Sequence, residues 1–145
     1  MVEIDTRYEG QLRCRLIHGP SRQELITDAP VDNQGKGEAF SPTDLVAAAL
    51  GSCILTVMGI VAQRHNLDLA GTQALVRKEM INEPKRRISS LEVTVNVATS
   101  FDAPLRGLLE RAAITCPVHH SLHPAVAVRI KFVYPVGLSK LKGSG

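Results

Sequence analysis

The sequence predicts an α+β domain with mainly antiparallel strands. Three observations carry that class. Residues 6–17 and 88–98 alternate apolar and polar side chains with period two, the pattern of half-buried strands. Residues 45–62, LVAAALGSCILTVMGIVA, carry no charge and follow a helix-start signal. A second stripe, Leu105, Leu108, Leu109, Ala112 and Cys116, recurs at spacings of three and four.

The elements follow in chain order. Tyr8, Leu12, Cys14 and Leu16 fall on one face of the first strand, and Arg7, Glu9, Gln11, Arg13 and Arg15 on the other. His18-Gly19-Pro20-Ser21 is a turn signal, and residues 23–28 return as the partner of a hairpin. Residues 29–40, rich in Pro, Asn, Asp and Gly, form a loop. Ser41 is then a good N-cap, Pro42 suits the first helical position, and Asp44 faces the positive end of the helix dipole. Phe40 stands where it can staple onto Leu45 or Val46. The helix should run from Pro42 to about Asn66, roughly 37 Å. It is apolar nearly all round, which predicts a central helix covered on most sides. Residues 69–80 and 88–98 read as strands joined through Asn82-Glu83-Pro84-Lys85, with Leu91, Val93, Val95 and Val97 sharing a face. Asp102 caps a second helix that Pro117 ends, and residues 126–134 form a closing strand. The order is β-β-α-β-β-α-β. A single domain is expected over residues 1–138, with 139–145 as a disordered tail.

Composition excludes several classes. The chain has 145 residues, enough to bury a core without disulfide staples. Aromatic residues make up 3% and Trp is absent, so aliphatic residues must build the core and base-stacking platforms are disfavoured. The net charge is +3 and spread out; the run Lys85-Arg86-Arg87 reads as a solvated turn, not a nucleic-acid patch. MVEIDTRYEG lacks the apolar core of a signal peptide, and three cysteines make an odd count, so a cytoplasmic protein with reduced thiols is expected. The uncharged run falls just short of the about 20 residues of a membrane span. It contains Gly51, Ser52, Thr56 and Gly59 and lacks an aromatic belt, so it reads as a buried core helix.

The thiols read differently from one another. Cys14, between Leu12 and Leu16, reads as packing. Cys53 sits three turns into its helix, beyond reach of the dipole, in surroundings that raise a thiol's pKa. Alone it reads as packing; to react it needs a cation from another segment. Cys116 precedes Pro117. If PVHHSL forms a helical turn, Cys116 lies at or near its N-cap, where thiolates are favoured. Both Cys53 and Cys116 belong to inward stripes, so the two helices can bring them together. His119, His120 and His123 give a C-x-x-H-H-x-x-H spacing that admits a metal, although adjacent His119 and His120 cannot share a helix face. A solvated histidine cluster is the other reading. No G-x-S-x-G, Walker or H-E-x-x-H motif is present.

SPTDLVAAALGSC, followed some sixty residues later by CPVHHSL, resembles the OsmC/Ohr family of thiol peroxidases over about residues 6–135. TDAPVDNQGKGEAFSPTDL is most similar to the OsmC-like branch. The resemblance implies an intertwined homodimer in which antiparallel sheets surround two central helices that carry the cysteines. It implies that Cys53 is the peroxidatic cysteine and Cys116 the resolving one, with no bound cofactor. In the family an Arg held by a Glu activates the first thiol. That Glu follows the helix-start Pro, where Thr43 stands here, with Asp44 one place along. Arg13, Arg15 and Arg22 are candidates for the Arg, and Arg15 is preferred. The implied activity is reduction of organic hydroperoxides through a sulfenic acid and a disulfide, reset by an external dithiol. A non-enzymatic small-molecule-binding or redox-sensing protein is the alternative, and a metal-binding protein a third reading.

Overall fold

The alternating run 6–17 folds as two strands, not one. In the computed structural model, which describes residues 1–136, β1 (Ile4–Gly10) turns back at once into β2 (Arg13–His18). Gly10, Gln11 and Leu12 all have positive φ, at 87°, 54° and 63°. Two consecutive residues of that kind make the hairpin turn whose twist suits antiparallel strands. The sequence lacks the usual Asn-Gly signal there, and the Tyr8 hydroxyl accepts from the Leu12 N–H at 3.3 Å. Leu12 is therefore a turn residue, 44% exposed, and not part of a buried strand face.

β3 (Glu24–Asp28) pairs antiparallel with β2, as the His18-Gly19-Pro20-Ser21 turn predicts. The three strands form a sheet in the order β1-β2-β3. The loop that follows is pinned by bonds from Asn33 N and Gly35 N to the Pro30 carbonyl. Gly35 is obligatory: an added Cβ would meet the Ala29 carbonyl oxygen at 1.7 Å. Asp28 is buried beneath this loop and accepts from the Glu38 N–H at 3.0 Å, with Arg13 at 3.6 Å. These residues belong to the first of two compact units, Met1–Val46; the second runs from Ala47 onward.

α1 spans Pro42–Arg64. Its start is a reciprocal capping box: the Asp44 N–H donates to Ser41 Oγ at 3.1 Å, and the Ser41 N–H donates to Asp44 Oδ2 at 2.9 Å. Phe40 is about half exposed, and its carbonyl accepts from the Asp28 N–H. The expectation of a helix covered on most sides is corrected. One stripe is buried, Ala47, Leu50, Gly51, Ile54, Met58 and Ala62, while Ala48, Ala49, Ser52, Thr56 and Ile60 on the opposite side are exposed. By length and composition α1 can cross a membrane, with a mean hydropathy of 2.3. Its buried stripe is the mark of a core helix.

In the second unit β4 (Gln73–Ile81) and β5 (Arg87–Asn96) form the expected antiparallel hairpin, and β6 (Ala127–Val133) completes the order β4-β5-β6. β6 runs parallel to β5, the one departure from antiparallel pairing among the described strands. The connection through α2 (Ala103–Ile114) and α3 (Pro117–Ser121) is a crossover long enough to return the chain to the same end of the sheet. Leu91, Val93 and Val95 are buried on one face of β5, as their alternation requires, and Val97 just past its end is buried too, as are Leu109, Ala112 and Ala113 of α2. Asp102 caps α2 by accepting from the Leu105 N–H at 3.0 Å. The expected tail, 139–145, lies outside the described residues.

Two outcomes are expected. Leu91→Ala should cost about 2–5 kcal/mol in urea unfolding, because Leu91 is fully buried in the aliphatic core. The Glu38 amide, and then Arg13, hold the Asp28 carboxyl below the ordinary carboxylate range against the opposing effect of burial. A depressed folded value gives stability that is present above the unfolded carboxylate pKa and lost as pH falls through the folded one. Asp28→Asn should therefore flatten the acid limb of the full chain's stability profile.

Candidate active site

Cys53 sits three turns into α1 and is half-buried; Cys116 is fully buried. The conditional reading of PVHHSL is met: Pro117 opens α3, and Cys116 is its N-cap residue. Cys116 Sγ accepts from the His119 N–H at 3.5 Å. The second unit brings the two thiols together, near enough for Cys53 to act on the Cys116 thiol. Both are free thiols.

Burial pushes the Cys116 thiol up, and its hydrogen bond with Cys53 and the nearby Cys53 charge push it further; the amides of His119 and Val118 oppose this. A thiol pushed up in this way is a poorer first nucleophile but suits a group called on after its partner has reacted.

The candidate arginines belong to the first unit. Arg15 lies on β2 and is held by two carboxylates, with Nη1 donating to Glu24 at 2.6 Å and Nε to Glu9 at 3.3 Å. The bonds to Glu24 and then Glu9 hold its guanidinium value above the ordinary range. Arg13 is bonded to Glu38 and paired with Asp28. Arg22 stands in the turn between β2 and β3, with φ 61°. The Thr43 hydroxyl lies 3.2 Å from Ser41 Oγ. The Glu9 and Glu24 clamp on Arg15 was not anticipated, since the strands' pairing, not sequence spacing, sets it. Cys14 pairs with Tyr8 and Thr27 across the first sheet and is half-buried.

The histidines are not gathered. His119 and His120 stack, with ring centroids 6.0 Å apart, while His123 Nδ1 accepts from the Ala125 N–H at 3.0 Å. Among the described residues no group of three or more His, Cys, Asp or Glu is placed to hold a metal ion. An open cleft of about 850 Å³ lies elsewhere in the second unit, lined by residues that include Phe101, Arg106, Lys131 and Tyr134. Two of its polar groups, Arg106 and Tyr134, are already engaged. Arg106 lies 4.4 Å over the Tyr134 ring and donates to the Phe101 carbonyl, and the Tyr134 hydroxyl donates to Glu110 at 2.9 Å. Burial, then that bond, pushes the phenol up.

The family described as OsmC-like protein matches residues 35–131. No curated protein matches the chain. A protein of Psychrobacter arcticus 273-4, described as concerned with osmotic stress and a detoxification response, is 44% identical, with a TM-score of 0.87 over 92% of this chain and 96% of its own. An OsmC-like protein of Mycoplasma pneumoniae has a TM-score of 0.79 at 11% identity, covering 94% of this chain and 98% of its own. The organic hydroperoxide resistance protein OhrB of Bacillus subtilis has a TM-score of 0.67 at 14% identity, over 92% and 98%. The last two likenesses show the shared fold.

In a Cys14→Ser background, the Cys116 thiolate should form only above the ordinary thiol range, read from alkylation rate against pH. Adding Cys53→Ala should lower that value without returning it to that of a free thiol, because burial, the largest cause, remains.

Proposed function

The chain belongs to the OsmC-like family, and from that premise we propose that it is a thiol peroxidase reducing organic hydroperoxides with Cys53 and Cys116. The observation that carries this reading is a half-buried thiol beside a fully buried one, whose burial pushes its thiol up. A peroxide arriving from solvent meets Cys53 first. The Cys53 thiolate attacks the O–O bond, an alcohol leaves, and a sulfenic acid remains. Cys116 then condenses with it to a disulfide and water, and an external dithiol restores both thiols by exchange. The apolar flank of α1 favours alkyl hydroperoxides over hydrogen peroxide. The activating cation is assigned to Arg15, because Glu24 and Glu9 hold it in the manner of the family's Arg–Glu pair.

The chain is further proposed to work as a cytoplasmic homodimer. The exposed side of α1, with Ala48, Ala49, Ser52, Thr56 and Ile60, favours this: its small residues permit close approach of a second copy, which would cover apolar surface. A second reading, a redox-sensing or small-molecule-binding protein that does not turn over, is favoured by Thr43 at the position of the family's Glu.

Cys53→Ser should abolish turnover of an alkyl hydroperoxide in a coupled dithiol assay. Cys116→Ser should allow one oxidation per chain and no intramolecular disulfide by mass mapping. Full activity in Cys53→Ser would refute the peroxidase reading. Oxidation of the intact protein no faster than that of a free cysteine would favour the second.

A further inference from the structure

Aromatic rings are scarce in this chain, three Phe and two Tyr with no Trp, and the buried core uses none of them. Three of these five, Phe101, Phe132 and Tyr134, line the cleft of about 850 Å³ in the second unit, and each is half-buried. The crossover brings them together: Phe101 precedes α2, while Phe132 and Tyr134 come from the end of β6 and its exit. Small-molecule sites have volumes of this order and are walled mainly by apolar and aromatic side chains. Rings held at a cleft, in a chain whose core is aliphatic, point to a ligand with a flat apolar body.

The charges in the cleft favour an anion. Arg106 uses its Nε on the Phe101 carbonyl, and its guanidinium lies over the Tyr134 ring. Among the described residues its terminal amino groups, Nη1 and Nη2, donate to nothing, and neither is buried. Paired N–H groups of this kind match the two oxygens of a carboxylate. Lys131 is exposed and likewise has no hydrogen bond or ion pair among the described residues. The carboxylate in the lining, Asp102, is occupied by the Leu105 N–H at the start of α2, and Glu110, outside the lining, takes the Tyr134 hydroxyl. Two cations against one carboxylate suit a monoanion better than a phosphate dianion. The thiols are remote. α2 has 12 residues, so its ends stand roughly 18 Å apart; the cleft lies at its first turn, and Cys116 comes after its last.

We propose that this cleft is a second small-molecule site that takes a planar aromatic monocarboxylate, its carboxylate held by Arg106 and Lys131 and its ring against Phe101 and Phe132. The site uses neither Cys53 nor Cys116, so it stands apart from the peroxidase reading.

The probe is 2-naphthoate, titrated by calorimetry into the reduced full-length protein. One probe should bind per chain, saturably, with a Kd of about 1 mM or tighter. Naphthalene-2-methanol keeps the rings and loses the charge; octanoate keeps the charge and loses the rings. Each should bind at least about 10-fold more weakly. Lys131→Glu, at an exposed strand position, should weaken 2-naphthoate by about 10-fold or more and leave the fold intact. Arg106→Gln should weaken it likewise; if loss of the Phe101 bond unfolds that variant, Lys131→Glu decides alone. A chain carrying both Cys53→Ser and Cys116→Ser should bind as the parent does, whatever the peroxide assay shows. Absence of saturable binding, equal affinity for naphthalene-2-methanol or octanoate, or parent affinity in Lys131→Glu would each overturn the proposal. Loss of binding in the double serine chain would overturn it by placing the probe at the thiols. Displacement of 2-naphthoate by an equal concentration of inorganic phosphate would overturn it in favour of a phosphate site.

Discussion

The close approach of α1 to β4 at Gly51 is the contact on which the second unit depends. A Cβ at Gly51 would stand 3.0 Å from Val76 Cγ2 and 3.6 Å from the Ala74 Cβ. The bare backbone therefore rests against the sheet, and that contact fixes the rotation of the helix about its axis. Leu50, Ile54, Met58 and Ala62 follow into the core at spacings of four. Cys53 is two residues past Gly51, about 200° round the helix. It is thereby turned off the packed stripe and kept half-buried. A larger residue at position 51 would disturb the thiol's setting without touching it.

Charge does for the first unit what aliphatic packing does for the second. Arg7 and Arg15 stand opposite one another across β1 and β2, a pairing that repels in isolation. Each is matched locally, Arg7 by Asp5 and Arg15 by Glu9 and Glu24. Asp28 and Arg13 are register partners on β3 and β2, and Glu38 from the loop joins them. The loop ahead of α1 is thus tied to the sheet by its backbone amide as well as by a carboxylate. The tie matters because this loop delivers Ser41, whose cap sets where α1 begins.

Much of the molecule was legible because its periodicities are clean. The β4–β5 hairpin, the Asp102 cap and the start of α1 at Ser41 rest on local signals that no distant contact overrides. The turn at Gln11-Leu12 was not legible, since neither residue favours positive φ and the alternation runs on across it. The parallel placement of β6 depends on where a crossover lands, and sequence periodicity is silent on direction. The bare side of α1 was misjudged for a related reason: an all-apolar helix says that it wants cover, not that its own chain supplies it. At the site, the cysteines were found by their contexts and Cys116 by its place before Pro117. The carboxylate clamp on Arg15 and the meeting of Phe101, Phe132 and Tyr134 at one cleft were out of reach, because strand register decides the first and the path of the crossover the second.

The contact between Cys53 and Cys116 also joins two distant parts of the chain. A bond there would close a loop of about 60 residues, holding the rest of α1, β4, β5 and all of α2. Closing a loop of that size restricts the unfolded chain by about 4 kcal/mol in the chain-entropy view. The oxidised and reduced forms would then differ little in shape but greatly in how often they open. A chain that has just met its oxidant would be the longer-lived one, and a protease would read redox history as a difference in lifetime.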